Sequence, residues 1–125
     1  VGSKLLGLAA LGAIGTLARY GLGGWVQRHA GTGFPWGTLA VNAAGCFAFG
    51  IVWALAAERS LLRGDARVIV LIGFFGAFTT FSSFAFETVQ MLRDGQWWRA
   101  IANASLQNGL GLALLFAGAA VGRNL

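Results

Sequence analysis

The sequence predicts an all-α integral membrane protein of four transmembrane helices, the third of them broken in mid-membrane. Three observations carry that expectation. Charged residues make up 10% of the chain and hydrophobic residues 57%, whereas a soluble domain carries about 25% charged. The apolar residues gather into four runs of about 22–25 residues, each enough to cross a hydrocarbon core of about 30 Å at about 1.5 Å per residue. The third run contains Gly73-Phe-Phe-Gly-Ala-Phe-Thr-Thr-Phe-Ser-Ser-Phe-Ala-Phe-Glu-Thr88. Glycines, hydroxyls and a carboxylate in a spanning segment are costly in lipid and mark protein interior or a wet path.

The first span covers residues 5–26. Lys4 followed by small apolar residues has the look of a signal peptide, but the run continues to Val26 and three more follow, so a retained span is expected. The turn Gly31-Thr-Gly-Phe-Pro35 leads to the second span, 36–57, closed by Glu58-Arg59. Arg63-Gly-Asp-Ala-Arg67 precedes the third span, 68–92, which Arg93-Asp94-Gly95 closes. The fourth covers 98–121. The connections are short, so consecutive helices run antiparallel. Residues 1–125 form one transmembrane domain, with no room for a soluble one and no internal repeat.

The ends of the spans differ. Trp25, Trp36, Trp97 and Trp98 flank the first and third connections as an aromatic belt, and Trp53 lies towards the opposite interface. The side holding both termini and the second connection has five basic residues: Lys4, Arg59, Arg63, Arg67 and Arg123. The other side has three, Arg28, Arg93 and Arg99. A difference of two is a weak orientation signal; the chain inserts with its termini cytoplasmic, or it inserts both ways.

Small residues crowd the spans. Ala40, Ala44 and Ala48 form a ridge at spacing four, and Gly118-x-x-x-Gly122 is a close-packing motif. Helices this short and this tightly packed leave little interior space, so an oligomer is expected rather than a pore within one copy.

Asn42 shares a helical face with Thr38 and Cys46. Its amide is either a tie between helices or a donor to a path. Gly73, Gly76 and the Thr79-Thr80 pair give poor helix propensity in mid-span. A break there frees carbonyls that can hold a cation and starts a new half-helix with bare N–H groups; a mild kink without a ligand is the other reading. Beyond it, Thr80, Ser83 and Glu87 line up as a polar face, and Phe81, Phe84 and Thr88 as a neighbouring one. Phenyl edges are positive and can touch an anion, although for such a pair taken alone ordinary aromatic packing is the commoner explanation. Glu87 either reaches the interface or pairs with an arginine. Arg19, at a cost of about 2.5–3.5 kcal/mol at a helix centre, snorkels or lines a wet vestibule. Asn103 and Gln107 are an i, i+4 polar pair on the fourth span, lining the same path or bonding a neighbour.

Several classes are set aside. The isoelectric point near 11.2 does not signify nucleic acid, because the basic residues are scattered at span ends rather than gathered in a stripe. Cys46 is alone and His29 is the sole histidine, in a loop, so neither disulfide nor metal cluster is expected. No nucleophile–base pair or phosphate loop appears, and an enzyme is not expected.

Three motifs, Gly15-Thr-Leu-Ala-Arg19-Tyr20, Gly37-Thr-Leu-Ala-Val-Asn42-Ala-Ala-Gly45 and Gly73 to Thr88, resemble those of the Fluc (CrcB) fluoride channels of bacteria. The resemblance covers nearly the whole chain, and its third motif is the most specific. It implies a passive channel of the bacterial plasma membrane that exports cytoplasmic fluoride. It implies an antiparallel, dual-topology homodimer with two pores, in contact with membrane lipid. It also implies a structural sodium ion on the backbone carbonyls of Gly76 and Thr79 of both subunits, and no organic cofactor. By the same resemblance Phe81, Phe84 and Asn42 line the pore and Arg19 a vestibule, with Thr38, Ser83 and Thr88 further along the path. The family's last helix often carries hydroxyls where this chain has Asn103, Ser105 and Gln107, so that wall is unassigned. A small proton-coupled drug exporter, with Glu87 as the titrating group, is the alternative; such proteins place that carboxylate in the first span, where this chain has Arg19. A structural subunit of a larger complex is a third reading.

Overall fold

Four long helical segments cross the computed structural model, which describes all residues 1–125. They are α1 (Gly2–Ala30), α2 (Trp36–Glu58), a third span made of two pieces, and α5 (Trp97–Asn124). The third span consists of α3 (residues 64–78) and α4 (Phe81–Arg93), separated by Thr79 and Thr80. All four spans are long and apolar enough to cross a membrane. Each helix overruns its apolar run by up to several residues, because backbone hydrogen bonding continues where side chains turn polar.

The break is narrower than the glycines suggest. Gly73 and Gly76 are both helical. Only Thr79 (φ −84°, ψ 158°) and Thr80 (φ −146°, ψ 114°) are extended. Before the break, residues Ile69–Phe74 wind as a π-helix. That widened turn is not written in the local sequence. Gly73 within it lies against Leu8 and Leu11 of α1, where a Cβ would come within 3.3 Å of Leu11.

Close backbone contact organises the bundle, as expected where lipid offers no hydrophobic drive. The tightest seam joins α2 and α5: a Cβ on Gly118 would strike the Phe47 carbonyl oxygen, and one on Gly50 the Leu115 carbonyl oxygen. Gly118 and Gly122 therefore serve the close packing their spacing suggests. Of the Ala40/Ala44/Ala48 ridge, Ala44 is exposed on the outside of the chain. On the other flank α1 packs on α3, with Gly15 against the Phe74 carbonyl and the Ala77 methyl. Phe49, Phe74, Phe75 and Phe78 form an aromatic cluster with ring centroids 5.0–5.6 Å apart. Large apolar residues cover the exterior, among them Leu17, Ile72 and Phe116, as a lipid-facing surface requires.

Two contacts define one end of the bundle. Lys4 and Asp65 form an ion pair at 3.9 Å, and Arg59 donates to the Arg123 carbonyl at 3.2 Å. They gather the N-terminus, the second connection and the C-terminus. At the other end the Arg99 guanidinium lies 3.7 Å from where a Cβ of Gly33 would stand, joining the first and third connections.

Candidate functional site

A break in a helix strands the last carbonyls of one piece and the first N–H groups of the next. Here most are taken up by named side chains. Thr79 returns both its N–H (3.1 Å) and its hydroxyl (2.9 Å) to the Phe75 carbonyl. Arg19 Nε donates to the Ala77 carbonyl at 3.0 Å. Thr80 is the N-cap of α4, its Oγ1 accepting from the Ser83 N–H at 3.2 Å. Asn42 then treats Thr80 as a neighbouring strand would. Its Oδ1 accepts from the Thr80 N–H at 2.8 Å and its Nδ2 donates to the Thr80 carbonyl at 3.0 Å. The carbonyls of Gly76, Phe78 and Thr79 receive no hydrogen bond from the protein. Gly45 lets α2 approach: a Cβ there would run into Thr79 Cγ2 and the Phe78 ring.

Thr80 is the wall between two cavities. One, of about 250 Å³, is lined by Arg19, Gln27, Thr38, Thr80, Ser83 and Glu87 together with glycines of α1 and α2. Within it the Thr38 hydroxyl donates to Glu87 Oε2 at 2.9 Å, while Glu87 Oε1 is buried without a partner. The Thr80 hydroxyl donates to Ser83 Oγ at 3.1 Å, which leaves Ser83 its own hydrogen. Arg19 spends only Nε on Ala77, and no carboxylate stands within ion-pairing distance of it. The other cavity, of about 220 Å³, is lined by Asn42, Cys46, Thr79, Thr80, Phe81, Phe84, Gln107 and Asn108. The Phe81 and Phe84 rings meet edge-on there, centroids 5.4 Å apart at 67°. A third hollow of about 220 Å³ opens beside Gly76 and Thr79.

A family model described as "CrcB-like protein, Camphor Resistance (CrcB)" matches residues 6–119. The chain belongs to the CrcB family. Relatives named "Fluoride-specific ion channel FluC" include one from Nitrosococcus oceani, 56% identical over 115 residues, 92% of each chain. Another, from Solidesulfovibrio magneticus, is 54% identical over 120 residues, 96% of each chain. A third, from Thermus thermophilus, is 45% identical over 119 residues, covering 95% of this chain and 93% of its own. These CrcB relatives are channels rather than enzymes, and the four apolar helices make this chain a multi-pass membrane protein.

In this CrcB-family chain the residues singled out from the sequence fall into groups. Arg19, Thr38 and Ser83 share the first cavity. Asn42, Phe81 and Phe84 share the second. Thr88 lines neither: its hydroxyl donates to the Phe84 carbonyl at 2.8 Å and accepts from Asn103 Nδ2 at 2.9 Å, tying α4 to α5. Gly76 lies in the last turn before the break and Thr79 within it, both with unpaired carbonyls.

Gln107 was left between two readings by the sequence, and Gln27 escaped it. Gln107 accepts from Asn42 Nδ2 at 3.0 Å, a bond between residues 65 positions apart that no local pattern announces. Gln27 clasps the first connection, donating to the Gly31 carbonyl at 2.5 Å and the Phe34 carbonyl at 2.9 Å, and accepting from the Gly37 N–H at 3.0 Å. A glutamine ahead of a glycine-rich turn was the available signal.

Proposed function

We propose that this protein is a fluoride-selective passive channel that exports cytoplasmic fluoride across the bacterial inner membrane. The observation that carries the reading is the break at Thr79–Thr80, where the cavity of the crossed Phe81 and Phe84 rings meets a hydroxyl- and arginine-lined cavity. A small, strongly hydrated anion needs close donors to replace its water, yet a full positive charge in the narrow part would hold it too tightly for rapid passage. Amides, hydroxyls and ring edges supply intermediate strength. Arg19, one cavity removed from the rings, raises the local anion concentration.

The working unit in this proposal is an antiparallel dual-topology homodimer with two pores. Phe81 is 75% exposed in the single chain, and a Cβ on Gly76 would meet nothing within 4 Å; both are surfaces a second copy would cover. The unpaired carbonyls of Gly76 and Thr79 suit a hard cation such as sodium. Two carbonyls from one chain are too few to surround it, and a two-fold axis doubles the set. Sodium there would neutralise the converging carbonyl dipoles and join the two breaks.

The deciding experiment is ion efflux from liposomes containing the pure protein. Electrogenic fluoride efflux without chloride efflux is expected; equal chloride flux sinks the proposal. The purified dimer is also expected to retain sodium after dialysis into sodium-free buffer, measured by atomic emission. Complete loss of sodium with flux and fold intact would remove the central site.

A further inference from the structure

We propose that the end of the bundle carrying the second connection is a docking surface for anionic membrane lipid, whose phosphate headgroup is held by Arg59, Arg63, Arg67 and Arg123.

The charges at this end are not balanced within the chain. Five basic residues, Lys4, Arg59, Arg63, Arg67 and Arg123, meet two acidic ones, Glu58 and Asp65. The molecule's one ion pair, Lys4 with Asp65 at 3.9 Å, uses one of each. Glu58 pairs with no arginine, although it precedes Arg59 in the chain. All four arginines therefore lack a carboxylate, and Arg59, Arg63 and Arg123 are exposed.

The fold gathers these charges instead of spreading them. Arg59 Nη2 donates to the Arg123 carbonyl at 3.2 Å, which brings together residues 64 positions apart. The connection then bends twice, at Ser60 (φ 53°) and Gly64 (φ 55°), both left-handed. Arg63 stands extended between the bends, and Arg67 follows within the first helical turn beyond them. Like charges collected in this way repel one another unless an anion lies among them. A guanidinium keeps its charge and matches two phosphate oxygens with parallel N–H groups. Of the four arginines only Arg59 spends a side-chain N–H on the protein.

The surroundings select a lipid over a free anion. Just below the arginines the exterior is apolar, with Trp53 on α2, Ile72 on α3 and Val121 on α5 all exposed. Trp53 stands about 9 Å along the helix axis from Arg59, at the depth where an indole sits beneath headgroups. A ligand here has one end among guanidinium groups and the other against hydrocarbon. That describes a phospholipid, and one whose phosphate charge is not offset by its own ammonium group. In the antiparallel dimer proposed above, one such end faces each leaflet, so lipid is held on both sides of the membrane.

The test counts lipid retained by the purified protein in native mass spectrometry, with phosphatidylglycerol or phosphatidylcholine of the same acyl chains added to the detergent. Wild type is compared with Arg63→Gln/Arg67→Gln and with Arg28→Gln/Arg93→Gln, which removes the same charge from the opposite end. Wild type is expected to retain phosphatidylglycerol over phosphatidylcholine. Arg63→Gln/Arg67→Gln is expected to lose affinity for phosphatidylglycerol by about fivefold for each arginine, the factor that a basic side chain near an anionic surface commands. Arg28→Gln/Arg93→Gln is expected to bind like wild type. Equal loss in the two double variants, or no lipid preference in wild type, overturns the proposal. Phosphatidylglycerol is also expected to raise the thermal midpoint of wild type, as a ligand of the folded state does, and inorganic phosphate is not. An equal rise with inorganic phosphate would make this a free-anion site and overturn the lipid. If the Arg63→Gln/Arg67→Gln protein is not monodisperse, Arg63→Gln alone decides, with the fivefold loss expected and wild-type binding contrary to the proposal.

Discussion

Asn42 and Thr80 show why the residues of the site were visible in the sequence while the bonds between them were not. An asparagine in an apolar run is conspicuous, since it must find bonds inside the protein. Which bonds it finds depends on a contact 38 residues away with Thr80 and another 65 residues away with Gln107. The sequence left open whether Asn42 ties helices together or serves the path. The geometry has it tying three elements, α2, the break and α5, beside the rings. Asn42→Asp tests how much that tie is worth. The variant keeps the oxygen that accepts from the Thr80 N–H. It places a second oxygen against the Thr80 carbonyl and Gln107 Oε1, turning two attractions into repulsions and leaving both acceptors unsatisfied. A loss of about 1–3 kcal/mol per orphaned group is expected, seen as a lower thermal midpoint of the detergent-solubilised protein. A midpoint equal to wild type would show that the tie contributes little.

At the scale of the element, the third span carries the main difference between pattern and structure. The sequence marks Gly73 to Thr80 as the break, yet Gly73 and Gly76 stay helical and the chain leaves the helix only at the two threonines. The physical reason is that a break needs capping more than flexibility. Thr79 and Thr80 are β-branched and favour the extended backbone, and Thr80 supplies the N-cap oxygen for α4. The glycines are used for approach instead, Gly73 towards α1. Thr80→Val therefore separates the two roles. Valine preserves the extended preference and the shape but deletes the oxygen that accepts from the Ser83 N–H. The expected cost is about 1 kcal/mol, localised as faster hydrogen exchange in the first turn of α4 while α1, α2 and α5 exchange as before. Unchanged protection at Ser83 would show that the cap is dispensable.

For the molecule as a whole, the four spans and the grouping of their ends were legible because lipid imposes length and composition on every spanning helix. Contacts between spans were not, apart from the Gly118–Gly122 seam, since any small residue can serve a close approach and only the fold selects which does. Orientation is the property least determined by packing. Lys4–Asp65 and Arg59–Arg123 gather one end, and that end leads the other by only five basic residues to three. With so small a bias, a population inserted both ways is expected, which an antiparallel dimer requires. Single cysteines at Ala30, beside the first connection, and at Leu61, in the second, report on opposite ends; both positions are exposed. With Cys46→Ala as background, a membrane-impermeant maleimide applied to intact inverted vesicles should label about half of each variant, since the positive-inside bias is nearly balanced. Full labelling of one variant and none of the other would mean a single orientation, and an antiparallel dimer could not then assemble from this chain alone.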